Sequence, residues 1–431
     1  MQTTLATPSI DDTRLYARIT RRLVPFLFLC YVAAYLDRVN ISFAKLTMSA
    51  ALEFSDTVYG LGAGIFFIGY FLFEIPSNLL MQRIGARATM ARIMVLWGLV
   101  SAGTCLVQTP TQFYVMRFLL GLAEAGFFPG VVLYLTYWFP AERRGRVMAL
   151  FVTAVAVSGA AGSPLSGWLM KTLDGLHGVA GWQWLLLVEG LPSVVLGLLA
   201  WRWLDDRVED ARWLSAAERA HVLAAIEAEA ATKAPLSALD ALRDRRVWLL
   251  AAIYFCIASG LYGVNFWLPT IVKSLGVTDL VSIGLVSAVP WIAAMGCMTV
   301  IGQRADRRRE RRFHVALPAL AGAAGLLASV PLHDSPVLAI AALTVGMSGI
   351  LTALPLSWSL STAFLGGAGA ASGIALINAI GNLSGFVSPY LVGYLRDLTG
   401  HTDDGLFFLA GLLVAGALLV VFKVPAALVN R

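Results

Sequence analysis

Leu23-Val-Pro-Phe-Leu-Phe-Leu-Cys-Tyr-Val-Ala-Ala-Tyr35-Leu-Asp37-Arg38-Val-Asn40 decides how the chain is read. Everything from Leu23 to Leu36 is apolar or aromatic, and then an acid and a base stand side by side. In a helix this puts Asp37 and Arg38 near the bilayer midplane, where one charged side chain costs about 3 kcal/mol on insertion scales. Ionisable residues kept at such depth usually face a water-filled path and handle ions or substrate. The plain alternative is a pair that neutralises itself and pins the first span to its neighbours.

Working outward, the same composition continues. The chain has 431 residues, of which 58% are hydrophobic and 13% charged. Its mean hydropathy is +0.75. Soluble domains carry about 25% charged residues, so a polytopic, all-α membrane protein is expected. Runs of about 20 apolar residues place spans near 23–45, 58–81, 89–108, 111–137, 147–170 and 183–204. Six more fall near 247–273, 281–302, 313–332, 337–364, 370–395 and 405–424. The expected organisation is a cytoplasmic N-terminus (1–22), a six-helix bundle (23–204), a cytoplasmic linker (205–246), a second bundle (247–424) and a cytoplasmic C-terminus (425–431). In the linker, Ser215-Ala-Ala-Glu218 has the form of a capping box, which points to short interfacial helices.

Charge sets the orientation. Of 32 Lys and Arg, only Lys45, Lys171, Lys273 and Arg396 fall in loops on one side, and Arg38 and Arg117 lie inside spans. The others cluster on the opposite side, which the positive-inside rule makes cytoplasmic together with both termini. Residues 1–21 are polar, with Arg14, Arg18, Arg21 and Arg22 before the first span, so no cleavable signal is read. The net charge of +6 does not point to nucleic acid, because it sits in these loops. Cys30, Cys105, Cys256 and Cys297 lack metal or disulfide spacing and read as small buried apolar residues.

The halves echo each other at an offset of about 225 residues. Gly162-Ser163-Pro164-Leu-Ser-Gly167-Trp-Leu is answered by Ser388-Pro389-Tyr-Leu-Val-Gly393-Tyr-Leu, and Gln82-Arg83-Ile-Gly85-Ala-Arg87 by Ala305-Asp306-Arg307-Arg308-Arg309. Parallel repeats of this kind build transporters whose substrate site lies between them at mid-membrane.

With Gly302-Gln-Arg-Ala-Asp306-Arg307-Arg-Arg-Glu-Arg311-Arg312, the chain resembles the major facilitator superfamily; the first-half copy carries Gln82 where an Asp is usual. A narrower resemblance, to the anion:cation symporter family of hexonate, aldarate, tartrate and aromatic-acid permeases, covers the whole chain. It rests on Tyr35-Leu-Asp37-Arg38-Val-Asn40, Gly69-Tyr70-Phe-Leu-Phe-Glu74-Ile-Pro76-Ser-Asn78 and Arg117-Phe-Leu-Leu-Gly121-Leu-Ala-Glu124-Ala-Gly126-Phe-Phe-Pro129. Tyr262-Gly-Val-Asn265-Phe-Trp267-Leu-Pro269 and Asn378-Ala-Ile-Gly-Asn382 complete it. The resemblance implies a twelve-helix major facilitator fold. It also implies acids that carry protons, with arginines and Tyr70 for a substrate anion.

The fourth span supports this division independently. Arg117 and Glu124 are seven residues apart, hence on one helical face and about 10 Å apart along the axis. Burial disfavours a carboxylate's charged form and a neighbouring arginine favours it. An acid whose surroundings change between two states can therefore take a proton on one side and release it on the other. Arg stays charged, and its planar fork suits a carboxylate. The expected proton-coupling residues are Asp37 and Glu124. The plain alternative is two internal salt bridges, Asp37 with Arg117 or Arg38 with Glu124.

Expected substrate contacts are Tyr35, Arg38, Tyr70 and Arg117 in the first half, with Tyr262, Asn265, Ser357, Trp358, Asn378 and Asn382 in the second. Polar residues in apolar helices also serve as glue between helices. Asn378 and Trp358 rank first, because the family resemblance implies contacts there. Glu74 and Glu189 are expected to pair with loop arginines or backbone and stand outside the site. The resemblance implies a fifth-span amide that reaches substrate hydroxyls in the sugar-acid members; here Thr153 and Ser158 are the only polar side chains before Ser163, and this departure points to a less hydroxylated substrate, such as an aromatic or short-chain acid.

The expected function is proton-coupled uptake of a small organic anion by a monomer in a bacterial inner membrane, with no cofactor or metal. A proton-antiport exporter of drugs or metabolites is the alternative, suggested by Gly159-Ala-Ala-Gly162-Ser-Pro164. Catalysis is not expected, since His177, His221, His314, His333 and His401 are isolated in or beside loops and no nucleophile–base pair occurs in the spans.

Overall fold

The computed structural model describes residues 11–230, 243–365 and 370–429. Within these, twelve helices are long and apolar enough to cross a membrane. A helix satisfies all its backbone hydrogen bonds within one segment, which lipid demands. Spans 1 to 6 are Asp12–Ala51, Asp56–Ile84, Ala86–Leu106, Pro110–Thr136, Ala141–Thr172 and Gly181–Trp203. Spans 7 to 12 are Arg245–Ser274, Leu280–Arg308, Arg312–Ser329, Pro336–Leu365, Gly373–Thr399 and Asp403–Lys423.

Local chemistry sets the ends. Asp11 caps span 1 by accepting from the Thr13 and Arg14 amides at 3.0 and 3.2 Å. The first helix therefore starts eleven residues before the expected apolar boundary at 23, and its polar first turns project beyond the apolar run. In the linker, the Ser215 hydroxyl accepts from the Glu218 amide at 3.3 Å and Glu218 accepts from the Ser215 amide at 2.8 Å, the reciprocal pattern of a capping box. The helix Ala216–Ala230 follows it. Residues 231–242 of the expected linker lie outside the described residues.

Two spans are broken. Span 4 consists of Pro110–Glu124 and Phe127–Thr136, separated by Ala125 (φ −54°, ψ 129°) and by Gly126 at φ +88°. A left-handed backbone favours glycine, and a Cβ on Gly126 would also lie 2.6 Å from the Ser77 hydroxyl. Span 5 changes at Thr153, between Ala141–Val152 and Ala154–Thr172. The sequence reading made both helices continuous.

The two six-helix halves meet along a seam where span 1 packs on span 7, span 2 on span 11 and span 5 on span 8. At the end away from the chain termini, here the distal end, the halves touch backbone to backbone. A Cβ on Gly60 of span 2 would lie 2.4 Å from the Pro389 carbonyl of span 11. All four cations that mark this side in the sequence bind there. Lys45 and Arg396 both donate to Asp56, at 2.6 and 3.0 Å. Lys273 donates to the Leu46 carbonyl at 3.2 Å, and Lys171 pairs with Asp279. Asp397 of span 11 accepts from the Asp56 and Thr57 amides at the start of span 2. The seam is thus latched distally.

Candidate substrate and proton site

The charges of spans 1 and 4 converge in the first half, where it faces the seam. The Arg38 guanidinium donates to the Glu124 carboxylate, and both side chains are buried. Arg38 also lies among ring faces, 5.2 Å from Phe66, 5.6 Å from Tyr70, 5.9 Å from Tyr35 and 6.0 Å from Phe67. Aromatic faces attract a cation without removing its hydrogen-bonding capacity. Tyr262, from span 7, stacks edge-on to Phe67 at 4.6 Å and closes the group from the second half.

The break in span 4 explains where Glu124 sits. It is the last residue of the first half-helix, so its carboxylate stands beside the negative end of that helix dipole. The Arg38 guanidinium offsets this charge. Arg117, two turns earlier, is 1% exposed. Its guanidinium donates to two backbone carbonyls, Gly62 at 3.4 Å and Arg38 at 3.5 Å, and lies over the Phe66 ring at 5.2 Å. It is a deeply buried cation directly behind the pair.

Asp37 points the other way. Its carboxylate accepts from Trp97 Nε1 at 2.9 Å, from Ser101 at 2.7 Å and from the Ser193 hydroxyl. It faces spans 3 and 6 inside the first half, while its neighbour Arg38 faces the seam. Adjacent helical residues are about 100° apart, so side-by-side charges need not share a chamber.

The second half supplies uncharged polar groups. Asn265 donates to the Tyr35 hydroxyl across the seam at 3.0 Å. The Tyr262 hydroxyl donates to Asn382 at 3.4 Å, and Trp358 lies 4.6 Å from the Tyr254 ring. Asn378 donates to Glu74 of span 2 at 3.2 Å. Exposure rises away from the latch: Tyr35, Tyr262 and Asn265 are buried, while Glu74, Trp358, Asn378 and Asn382 are half-buried.

Residues 27–389 match the family model of the Major Facilitator Superfamily. The chain belongs to this superfamily. A Pseudomonas putida protein named for metabolite transport, NicT, is 46% identical over 97% of this chain and 96% of its own. A protein of Agrobacterium vitis named for tartrate transport is 48% identical over 95% and 94%. The crystal structure of a D-xylose–proton symporter superposes with a TM-score of 0.75 at 15% identity, over 94% of this chain and 98% of that one, which shows the fold. These findings agree with the resemblance to anion:cation symporters, and they make the chain a multi-pass membrane transporter.

Within this major facilitator fold, the expected site residues divide. Arg38, Glu124, Tyr35, Tyr70 and Tyr262 are brought together at the seam, with Arg117 behind them. Asn265, Trp358, Asn378 and Asn382 lie along the same seam. Ser357 is 2% exposed and its hydroxyl donates to its own helix, at the Leu354 carbonyl 2.6 Å away. Asp37 lies in a separate chamber. Of the two salt bridges offered as the plain alternative, Arg38 with Glu124 is present; Asp37 accepts from neutral donors instead.

Two acids set aside in the sequence reading behave differently from expectation. Glu74 meets Asn378, because spans 2 and 11 face each other there, rather than a loop arginine or backbone. Glu189 accepts from the Ser166 hydroxyl at 2.7 Å. The partners of Asp37 were missed altogether. One signal was available: Ser193 follows Glu189 by four residues, so both project from one face of span 6.

Proposed function

We propose that the protein carries a small organic anion, such as a sugar acid, a tartrate-like dicarboxylate or an aromatic carboxylate, across the bacterial inner membrane together with protons. The observation that carries this reading is the Arg38–Glu124 pair at the seam. Glu124 occupies the arginine fork that a substrate carboxylate would need. A proton on Glu124 removes its negative charge and frees Arg38 for the substrate, so anion and proton load together. Releasing the proton to the cytoplasm lets Glu124 reclaim Arg38 and expel the anion. Arg117 keeps a fixed positive charge behind the exchange.

In this reading, Tyr35, Tyr70, Tyr262 and Asn265 shape the pocket, with Trp358, Asn378 and Asn382 toward its mouth; Ser357 stands at its edge. Asp37 is a second proton carrier, reading the substrate state through its neighbour Arg38. In the same reading both termini lie in the cytoplasm, the latched distal end faces the periplasm, and the protein acts as a monomer. The A. vitis relative supports a hydroxy-dicarboxylate as the first substrate to try. Purified protein in liposomes should accumulate tartrate when the outside is acidified, and Glu124→Gln should abolish accumulation while preserving exchange of labelled for unlabelled tartrate. Normal accumulation by that variant would overturn the coupling role.

A further inference from the structure

Where spans 1, 3, 5 and 6 meet, a second set of buried polar groups lies apart from the Arg38–Glu124 pair. Glu189 is 4% exposed. One of its carboxyl oxygens accepts from Ser166, and the other has no partner. Asn40 of span 1 is buried beside it, near enough for its amide to act on the carboxyl, although neither amide atom makes a well-aligned hydrogen bond. The charged group that faces Glu189 is Asp37, of the same sign and already held by Trp97, Ser101 and Ser193. No cation contributes to this chamber among the described groups around it. An isolated ionised carboxylate is costly in such surroundings, and a proton is the cheapest way to neutralise it.

Ser166 is shared with a neighbouring cavity. This cavity lies at the seam between spans 1, 5, 7 and 8, where Ser42, Ser163, Asn265 and Ser287 also line it. The cavity has room for about one water molecule. Ser287 is fully buried there, with its hydroxyl unpartnered, so a water would find a donor and acceptors waiting. A serine hydroxyl can accept one hydrogen while donating its own.

We propose that Glu189 is a proton-binding site of the transport cycle, loaded from the seam cavity through the Ser166 hydroxyl. A hydrated proton in the cavity gives a hydrogen to Ser166 Oγ as the serine hydrogen passes to Glu189; water and a neutral carboxyl are left, and unloading reverses the exchange. Because the cavity lies between the halves, loading would change as they rock apart. The proposal rests on the proton-driven reading above, but its test needs no substrate.

The test is infrared difference spectroscopy of the full chain in lipid nanodiscs, titrated in sodium-free buffer. A carboxylic C=O band that appears on acidification should vanish in Glu189→Gln. In Ser166→Ala, which leaves the acid in place, the band should shift in frequency and titrate more slowly. Superimposable wild-type and Glu189→Gln spectra would overturn the proposal, as would a Glu189 band that never titrates. A band abolished by sodium chloride at fixed pH would make this a sodium site instead. An unaltered band in Ser166→Ala would remove the route. Failure of the proton-driven reading would show separately, as tartrate uptake indifferent to a pH gradient.

Discussion

The Arg38 guanidinium and the Glu124 carboxylate, 86 residues apart in sequence, pair with each other at the seam between the two halves. Each is thereby the other's placeholder. In the proposed mechanism a substrate anion competes for the first and a proton for the second.

Arg38→Lys keeps the charge and loses the fork. A charge-assisted hydrogen bond is worth about 1.5–3 kcal/mol, so carboxylate affinity should fall about 10- to 100-fold. Calorimetry of tartrate binding would measure it, and equal affinity would remove Arg38 from the substrate role.

Glu124→Ala should lower stability more than Glu124→Gln does. Deleting one partner of a buried pair leaves the other charge uncompensated, at about 3–5 kcal/mol, whereas an amide still accepts a hydrogen bond from Arg38. Thermal unfolding of the two variants in the same detergent would rank them.

Gly126→Ala strains the break beside Glu124. A non-glycine residue in the left-handed region costs about 1–2 kcal/mol, and the added methyl collides with Ser77. We expect a lower melting temperature and a displaced Glu124. Tartrate accumulation should fall further than the stability loss explains, measured at a temperature where both proteins stay folded.

The distal latch should hold over a wide pH range. Lys171, with the Ser282 amide and hydroxyl, holds the Asp279 carboxyl down at about 2. The bound-state value lies below the ordinary carboxylate value of about 3.9. The contribution to closure is therefore complete above that ordinary value and is lost as pH falls toward about 2. Spin labels across the distal seam should show constant separation from neutral pH down to about 4. Asp279→Asn should populate longer distances already at neutral pH.

Hydropathy and charge along the chain were enough to read the number of spans, their grouping into two halves and the residues worth suspecting. Lipid leaves a helix no partner but itself, so apolar runs such as Leu23–Leu36 translate directly into spans. Any charge inside one, such as Arg117 or Glu124, stands out. The four cations Lys45, Lys171, Lys273 and Arg396 were legible as markers of one side, because that signal is compositional. What each charge faces came from the packing of the helices alone. It turned Asp37 toward Ser193 and Trp97 while Arg38 met Glu124, brought Asn378 to Glu74, and made all four marker cations into a latch. These outcomes depend on helix rotation and on which span lies across the seam. A break at Gly126 or a rotation of a few tens of degrees changes them, and hydropathy carries no trace of either.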